Sequence, residues 1–376
     1  MNKIRVLHYA PGFLSGGIES RLLDWYRNID RSKVQFCLVK LNNIDDTYNV
    51  NEFKHLGGEI YNLPSLSIKN LFKYMKMLNN LFQTEKFDIV HVHDVSSGTF
   101  VLMMAKLYKI KTRILHSRTT NYLPKEKNLL IKKCLRKIAP IFSNNFFACS
   151  YEAGVWGFGK KNSEKVKVIK NGIQIEKFMF NEEIRKKIRR DLGIENKKVI
   201  GTISRLSDQK NILFLLDIFR EIYQRDNNVV LLIVGEGDIK NELVKKAKSL
   251  SLDKQIIFLG ERMDVWNYYM SFDVFISTSF YEGFGTTAIE SQATGTPTIL
   301  STGFPEVVCI TDIVERIDLN DSMNKWVNKV MNAMVIRGDK TTVDKIIAAG
   351  YSARAVAKEL ESIYLGEAYT NIEYTI

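Results

Sequence analysis

The sequence predicts the α/β fold class, as two doubly wound parallel-sheet domains one after the other. Three observations carry that expectation. Short, near-continuous apolar runs alternate with helix-period segments along the chain, the pattern of parallel sheets buried on both faces. The 376 residues suit two domains of roughly 100–200 residues each. The charge also divides. Residues 1–190 hold 34 basic and 16 acidic side chains, and residues 191–376 hold 20 and 26, as two domains with different partners would.

Taken in order, IRVLHY (4–9) is a strand that ends at Pro11-Gly12, and a helix pattern runs from about residue 18 to 27. VQFCLV (34–39) and the glycine- and proline-edged stretch 57–64 are the next strands. The following helix places Ile68, Leu71, Phe72, Met75, Leu78, Leu81 and Phe82 at helical spacing. FDIVHVH (87–93), RILHS (113–117), NFFACS (145–150) and KVKVIKNG (165–172) complete the first domain, 1–172. Residues 173–197, with the charged run NEEIRKKIRR, read as a linker. The second domain, 198–351, repeats the plan with strands at 198–205, 228–238, 254–262, 273–279 and 296–302. A last helix pattern at 353–364 is expected to pack back on the first domain as part of 352–376.

Composition removes several classes. Charged residues at 26% and hydrophobic residues at 45% exclude wholesale disorder and a polytopic membrane protein. No apolar window reaches the 18 residues of a spanning helix, and no signal-peptide pattern precedes the first strand, so a cytoplasmic protein is expected. Cys37, Cys134, Cys149 and Cys309 form no CxxC pair or His/Cys cluster, which argues against a disulfide framework or zinc site. Residues 101–150 carry 11 basic side chains and 1 acidic one. A surface that positive suits phosphate, on nucleic acid or anionic lipid.

Four places have useful chemistry, and they fall at predicted strand ends, where open parallel sheets bind ligands. Gly16 and Gly17 precede a helix and can bring backbone N–H groups to an anion, although such a pair is also an ordinary turn. Arg205 and Lys210 bracket a helix start as a diphosphate clamp would, or as a solvated surface pair. In FYEGFGTTAIESQATGTP (280–297), Glu282 and Glu290 flank Gly283, Phe284, Gly285, Thr286 and Thr287. The loop can donate to phosphate and sugar oxygens, Glu282 can accept from sugar hydroxyls, and Glu290 can hold a ribose diol. His91 and His93 share a face of one strand. With no third ligand visible they read as structural rather than metal-binding. His116 ends a strand in the basic stretch and is the better candidate for touching substrate, with a purely structural role as the alternative.

Together, the early glycine pair, SRLxxxKN, VGEG, FLGERxDV and EGFGTTAIESQATGTP resemble the retaining family-4 glycosyltransferases of the GT-B fold. The resemblance covers nearly the whole chain and is strongest to capsular and exopolysaccharide enzymes. It implies two Rossmann-like domains facing across a cleft, with nucleotide-sugar bound by the second and acceptor by the first. It implies that Arg205 and Lys210 hold the donor diphosphate, that Glu282 and the amides of 283–287 hold the sugar and phosphate, and that Glu290 holds the ribose. Gly16-Gly17 would face the diphosphate and the stretch Gly260, Glu261, Arg262, Met263 would border the base. The implied donor is a UDP-sugar and the implied acceptor a lipid-linked saccharide. No metal or other cofactor is expected, because fixed cations and helix N-termini stabilise the leaving diphosphate. Relatives usually carry His-Ser-His where this chain has His116-Ser117-Arg118.

Residues 125–138 read as an amphipathic helix, with Leu130, Ile131, Cys134, Leu135 and Ile138 as its apolar stripe. Lys132, Lys133, Arg136 and Lys137 beside it are expected to dock the protein peripherally on the anionic inner face of the cell membrane. The bland alternative is a core helix with a basic outer face. Two other functions stand as alternatives. A nucleotide-sugar epimerase shares the two-domain plan, but the pair of glutamates argues against it. A nucleic-acid-binding protein would explain the basic half, but no recognition motif accompanies the charge, so no nucleic-acid partner is expected.

Overall fold

The computed structural model describes residues 3–10, 17–41, 48–67, 69–122, 128–335, 338 and 340–367. The chain divides into two compact units, one of residues 1–172 with 352–376 and one of residues 173–351.

The first unit holds β1 (Ile4–Tyr9), β2 (Val34–Leu41), β3 (Glu59–Leu63), β4 (Ile89–Val92), β5 (Thr112–Ser117), β6 (Asn145–Ala148) and β7 (Val166–Val168). They form a parallel sheet in the order β3-β2-β1-β4-β5-β6-β7. The order reverses between β1 and β4, and such a reversal opens a crevice at the carboxyl ends of the strands. In the β1–β4 register His8 lies opposite His91. One face of the sheet is covered by the helices Gly17–Asn28 and Ala353–Leu365, which pack on each other. Val356, Leu360 and Tyr364 of the last helix join Leu22, Trp25, Tyr26 and Phe36 in one core.

The second unit holds β8 (Lys198–Ile203), β9 (Val229–Val234), β10 (Ile256–Gly260), β11 (Val274–Ser277), β12 (Thr298–Ser301) and β13 (Val314–Ile317), in the order β10-β9-β8-β11-β12-β13. All these pairings are parallel. Every residue of β9, VVLLIV, is buried, as a central strand covered on both faces requires. The reversal here lies between β8 and β11. β13 has no counterpart among the predicted strands. It is an edge strand with Glu315 and Arg316 in its middle, so it lacks the apolar run that marks the others.

Residues 173–197 are not a free linker. The helix Glu182–Asp191 is capped by Asn181, whose side chain accepts from the N–H groups of Glu183 and Ile184. Arg185 and Arg189 then fasten it to the second unit through the two carboxylate oxygens of Asp273, at 2.5 and 2.7 Å. A charged sequence that looks solvated is in fact tied to one half-buried acid.

Candidate active site

In the second unit, the carboxyl-end loops are tied to one another by the main chain. The N–H of Leu206 donates to Glu236 O at 2.9 Å, Phe280 donates to Gln209 O at 2.9 Å, and Glu282 donates to Gly303 O at 2.9 Å. Gly235 has φ +134°, and a Cβ there would stand 1.9 Å from the Ser204 carbonyl oxygen. Only glycine allows the VGEG loop to lie this close to the loop that carries Arg205.

This framework brings together Lys210, Glu282 and Glu290. Lys210 ends a short 3₁₀ turn, Asp208–Lys210, and its Nζ reaches Oε1 of Glu282 at 2.6 Å. Glu282 is buried. Gly285, in the left-handed region at φ +91°, starts the helix Thr286–Ala293. A Cβ on it would meet the Phe304 ring at 2.4 Å. Glu290 sits in that helix, buried, and accepts a hydrogen bond from Tyr269 Oη at 3.0 Å. Thr286 and Thr287 fill the first turn, half-buried like Gly283. Arg205 is exposed just beyond β8. The side chain of Phe284 turns inward instead, packing against Tyr351 with ring centroids 5.4 Å apart, so only its backbone is left for a ligand. Gly260 has φ +71°, and Glu261 and Arg262 beyond it are exposed.

In the first unit, Gly17 is the first residue of its helix, and Gly16 lies outside the described residues. His116 is fully buried. Its Nδ1 is 3.0 Å from Nε2 of His91, whose Nδ1 is 2.7 Å from Tyr364 Oη. His8 Nδ1 and His93 Nε2 are 3.1 Å apart. Burial, followed by the charge of Arg118, holds the ring pKa of His116 well below its ordinary value. The same burial pushes His8 down to about 3. The rings are therefore neutral near pH 7. His8 is the third nitrogen that the sequence did not reveal. His8, His91 and His93 can each offer a ligand atom within 4.8 Å of the others. That spacing suits a cation, but the bonding does not. Apart from Nε2 of His8, those nitrogens are engaged with one another, with Tyr364 and with His116, and the Arg118 guanidinium reaches His93 Nδ1 at 3.3 Å. A metal would have to break these bonds beside a fixed positive charge.

Comparison with known proteins agrees with this geometry. The family described as Glycosyltransferase Family 4 matches residues 15–177, and that described as glycosyl transferases group 1 matches residues 184–334. Together they span both units. The chain belongs to the family-4 GT-B glycosyltransferases. EpsF of Bacillus subtilis (strain 168), named as a glycosyltransferase, is 28% identical over 369 residues, 96% of each chain. The Escherichia coli UDP-Gal:alpha-D-GlcNAc-diphosphoundecaprenol alpha-1,3-galactosyltransferase is 27% identical, over 92% of this chain and 90% of its own. The capsular polysaccharide biosynthesis glycosyltransferase CapH of Staphylococcus aureus is 27% identical over 77% and 79%. Among solved structures, HepE of Anabaena in complex with UDP and glucose shares the fold, with a TM-score of 0.79, 17% identity, and 96% and 100% of the two chains covered.

In this glycosyltransferase the basic helix differs from the expectation in where two of its four cations lie. It spans Leu129–Ile138 and has no buried residue; residues 125–127 lie outside the described part. Leu130, Ile131 and Ile138 are exposed, as is Ile141 just beyond. Cys134 is exposed as well. The apolar stripe therefore faces outward, and the core-helix alternative fails. Of the four cations placed at the membrane, Lys133 and Lys137 are exposed, but Lys132 and Arg136 are half-buried on the inner side. Arg136 lies over Trp156 at 4.6 Å and Tyr122 at 5.5 Å and donates to the Trp156 carbonyl. It anchors the helix rather than extending its basic face. Beside it, Leu107 is exposed, and Lys106 of the same helix reaches Ile141 O at 3.1 Å. No helix among the described residues is long and apolar enough to cross a membrane.

Proposed function

We propose that this glycosyltransferase moves a sugar from a UDP-sugar to a lipid-linked or saccharide acceptor in capsule or exopolysaccharide synthesis, with retention at the anomeric carbon and without a metal. The observation that carries the reading is the Lys210–Glu282 contact of 2.6 Å, beside Gly285 and the helix that bears Glu290. A lysine held against a buried carboxylate is a preformed cation for a diphosphate, and the carboxylate is an acceptor for sugar hydroxyls. Glu290, oriented by Tyr269, suits the ribose. Arg205 and the start of the helix Thr286–Ala293 add positive potential where the leaving diphosphate gains charge. The diphosphate that departs is the proton acceptor for the incoming hydroxyl. The names of the similar proteins support the donor and acceptor classes, since one relative is described as acting from UDP-Gal on a diphosphoundecaprenol-linked sugar and another in capsular polysaccharide biosynthesis.

The same reading places the protein in the cytoplasm, attached peripherally to the inner membrane face. Support comes from the outward stripe Leu130, Ile131 and Ile138 with Lys133 and Lys137 beside it. Apolar insertion plus cations is the combination that binds anionic lipid reversibly.

A screen of nucleotide-sugars against this protein, followed by NMR of the product, tests the proposal. UDP-sugars should stabilise the fold, and the new linkage should keep the donor's anomeric configuration. Arg205→Ala and Lys210→Ala should each weaken UDP binding calorimetrically by about tenfold or more, the worth of one charge-assisted hydrogen bond. An inverted product would refute retention, and unchanged UDP affinity in both variants would remove the clamp.

A further inference from the structure

The turn that carries Lys210 is fastened from outside as well as from within. Inside it, the N–H of Lys210 donates to Ser207 O at 3.0 Å and that of Asn211 to Asp208 O at 3.1 Å. Asn211 then leaves in the left-handed region at φ +50°, a conformation that a non-glycine residue keeps where its surroundings fix it. A lysine carries a compact charge on a flexible stem. The place of the Lys210 ammonium therefore depends on what fixes residues 208–211.

The outside fastening comes from the segment that follows β11. Thr278, buried, donates from Oγ1 to Asn211 O at 2.9 Å. The N–H of Phe280 donates to Gln209 O at 2.9 Å. Nε2 of Gln209 donates in turn to Tyr281 O at 2.8 Å. With the Lys210–Glu282 contact, these bonds lay 208–211 along 278–282. The second segment is itself seated on the next loop. Ser301 Oγ donates to Ser279 O, Glu282 N–H donates to Gly303 O, and a Cβ at Gly303 would stand 2.6 Å from Phe280 O. Glu282 thus sits on a strip held from its far side. Gln209 grips that strip at two points, its carbonyl on Phe280 and its amide on Tyr281. The amide bond joins the residue before Lys210 to the residue before Glu282, so it spans the ion pair directly.

We propose that Gln209 is a positioning residue of the donor site, whose side-chain amide fixes the Lys210 turn against Tyr281 and so aims the ammonium at the donor diphosphate. The aim at a diphosphate rests on the reading of Lys210 given above; the positioning of Lys210 by Gln209 does not.

Gln209→Met keeps the length of the side chain and removes its donor. In ligand-free labelled protein it should shift the NMR signal of the Lys210 ammonium nitrogen, assigned with Lys210→Ala. By calorimetry it should weaken UDP binding about three- to tenfold, as loss of one neutral hydrogen bond does. In the Lys210→Ala background the same change should cost nothing further, because Gln209 acts through the lysine. A merely structural role would lower UDP affinity equally in both backgrounds, and that additivity would overturn the proposal. Gln209→Ala should match Gln209→Met, and far-ultraviolet circular dichroism of both confirms the fold. A Lys210 signal unmoved in both variants overturns the positioning, whatever the UDP affinity. If the signal moves and Lys210→Ala weakens UDP binding, but both Gln209 variants bind UDP normally, the aim at the diphosphate is overturned. If the signal moves and Lys210→Ala itself binds UDP normally, Gln209 positions the lysine and it is the diphosphate reading that falls.

Discussion

The two units share a parallel-sheet plan but furnish their carboxyl edges in opposite ways. The first unit has 30 basic and 17 acidic residues and all five histidines; the second has 24 and 25 and no histidine. At the first edge, stacked histidine rings lie beside the Arg118 guanidinium, and burial keeps the rings neutral. At the second, opposite charges are held against each other, Lys210 on Glu282, and the arginines of one helix on Asp273. A paired charge is ready to exchange its partner for a ligand. An unpaired polar ring is ready only to gain one.

Acid should separate the units most sharply. His8, His91, His93 and His116 are held neutral by burial, so their folded pKa values lie below the unfolded value. The unfolded chain then binds more protons below about pH 6.5, and the stability they support is complete above that pH and lost as pH falls. At about 1.4 kcal/mol per pH unit for each ring, four rings approach a slope on the order of 5 kcal/mol per unit. Amide protection in β1, β4 and β5 should fall from pH 7 to pH 5, while β8 and β9 hold. Parallel loss in both sheets would break the contrast.

The mirror experiment acts on the second unit. Asp273→Ala leaves the half-buried Arg185 and the buried Arg189 without their carboxylate, and removes the acceptor of the Val199 N–H. Loss of one partner of a buried pair costs about 3–5 kcal/mol, which denaturant melts should register. Next in size are Glu282→Ala and Glu290→Ala. Each should lower kcat/KM by about 10- to 150-fold, equivalent to about 1.5–3 kcal/mol, with the fold retained. Near-normal turnover by both would remove the carboxylate chemistry from the second edge.

The smallest effects concern the exposed helix. Lys133→Gln and Lys137→Gln should weaken co-sedimentation with anionic vesicles by about 1 kcal/mol each, an effect that salt should mask. Leu130→Ser with Ile138→Ser should weaken it at any salt. Arg136→Gln should lower the melting temperature instead and leave lipid affinity nearly unchanged. A larger loss of lipid binding from Arg136→Gln than from the two lysine changes would overturn the orientation seen here.

How much was legible beforehand follows from the range of each interaction. Buried strands such as VVLLIV and the glycine-flanked pair Glu282 and Glu290 are local patterns, and their strand ends marked the second edge. The partnership of His8 with His93 is not local. It depends on β1 lying beside β4, which periodicity does not encode. The stripe on the helix Leu129–Ile138 was visible, but periodicity says which residues share a face and not which way that face points. Trp156 and Tyr122 settle the direction by taking Arg136 inward, and neither is close to it in sequence. The run 182–191 looked like a solvated linker because its anchor, Asp273, is more than 80 residues away.

One feature of the chain path bears on how the protein is made. The helix Ala353–Leu365 belongs to the first unit, yet the whole of the second unit precedes it in the sequence. On the ribosome, the first sheet is complete long before the helix that covers it exists. At about 5–20 residues per second, the intervening residues 173–351 take on the order of ten seconds or more to emerge. Through that interval the groove that receives Val356, Leu360 and Tyr364 stays open, and His91 lacks its phenol partner. The second unit can close while it is still being followed by nascent chain, but the first must wait for its last thirteen-residue helix. Its apolar groove is thus the surface a chaperone would have to shield during synthesis.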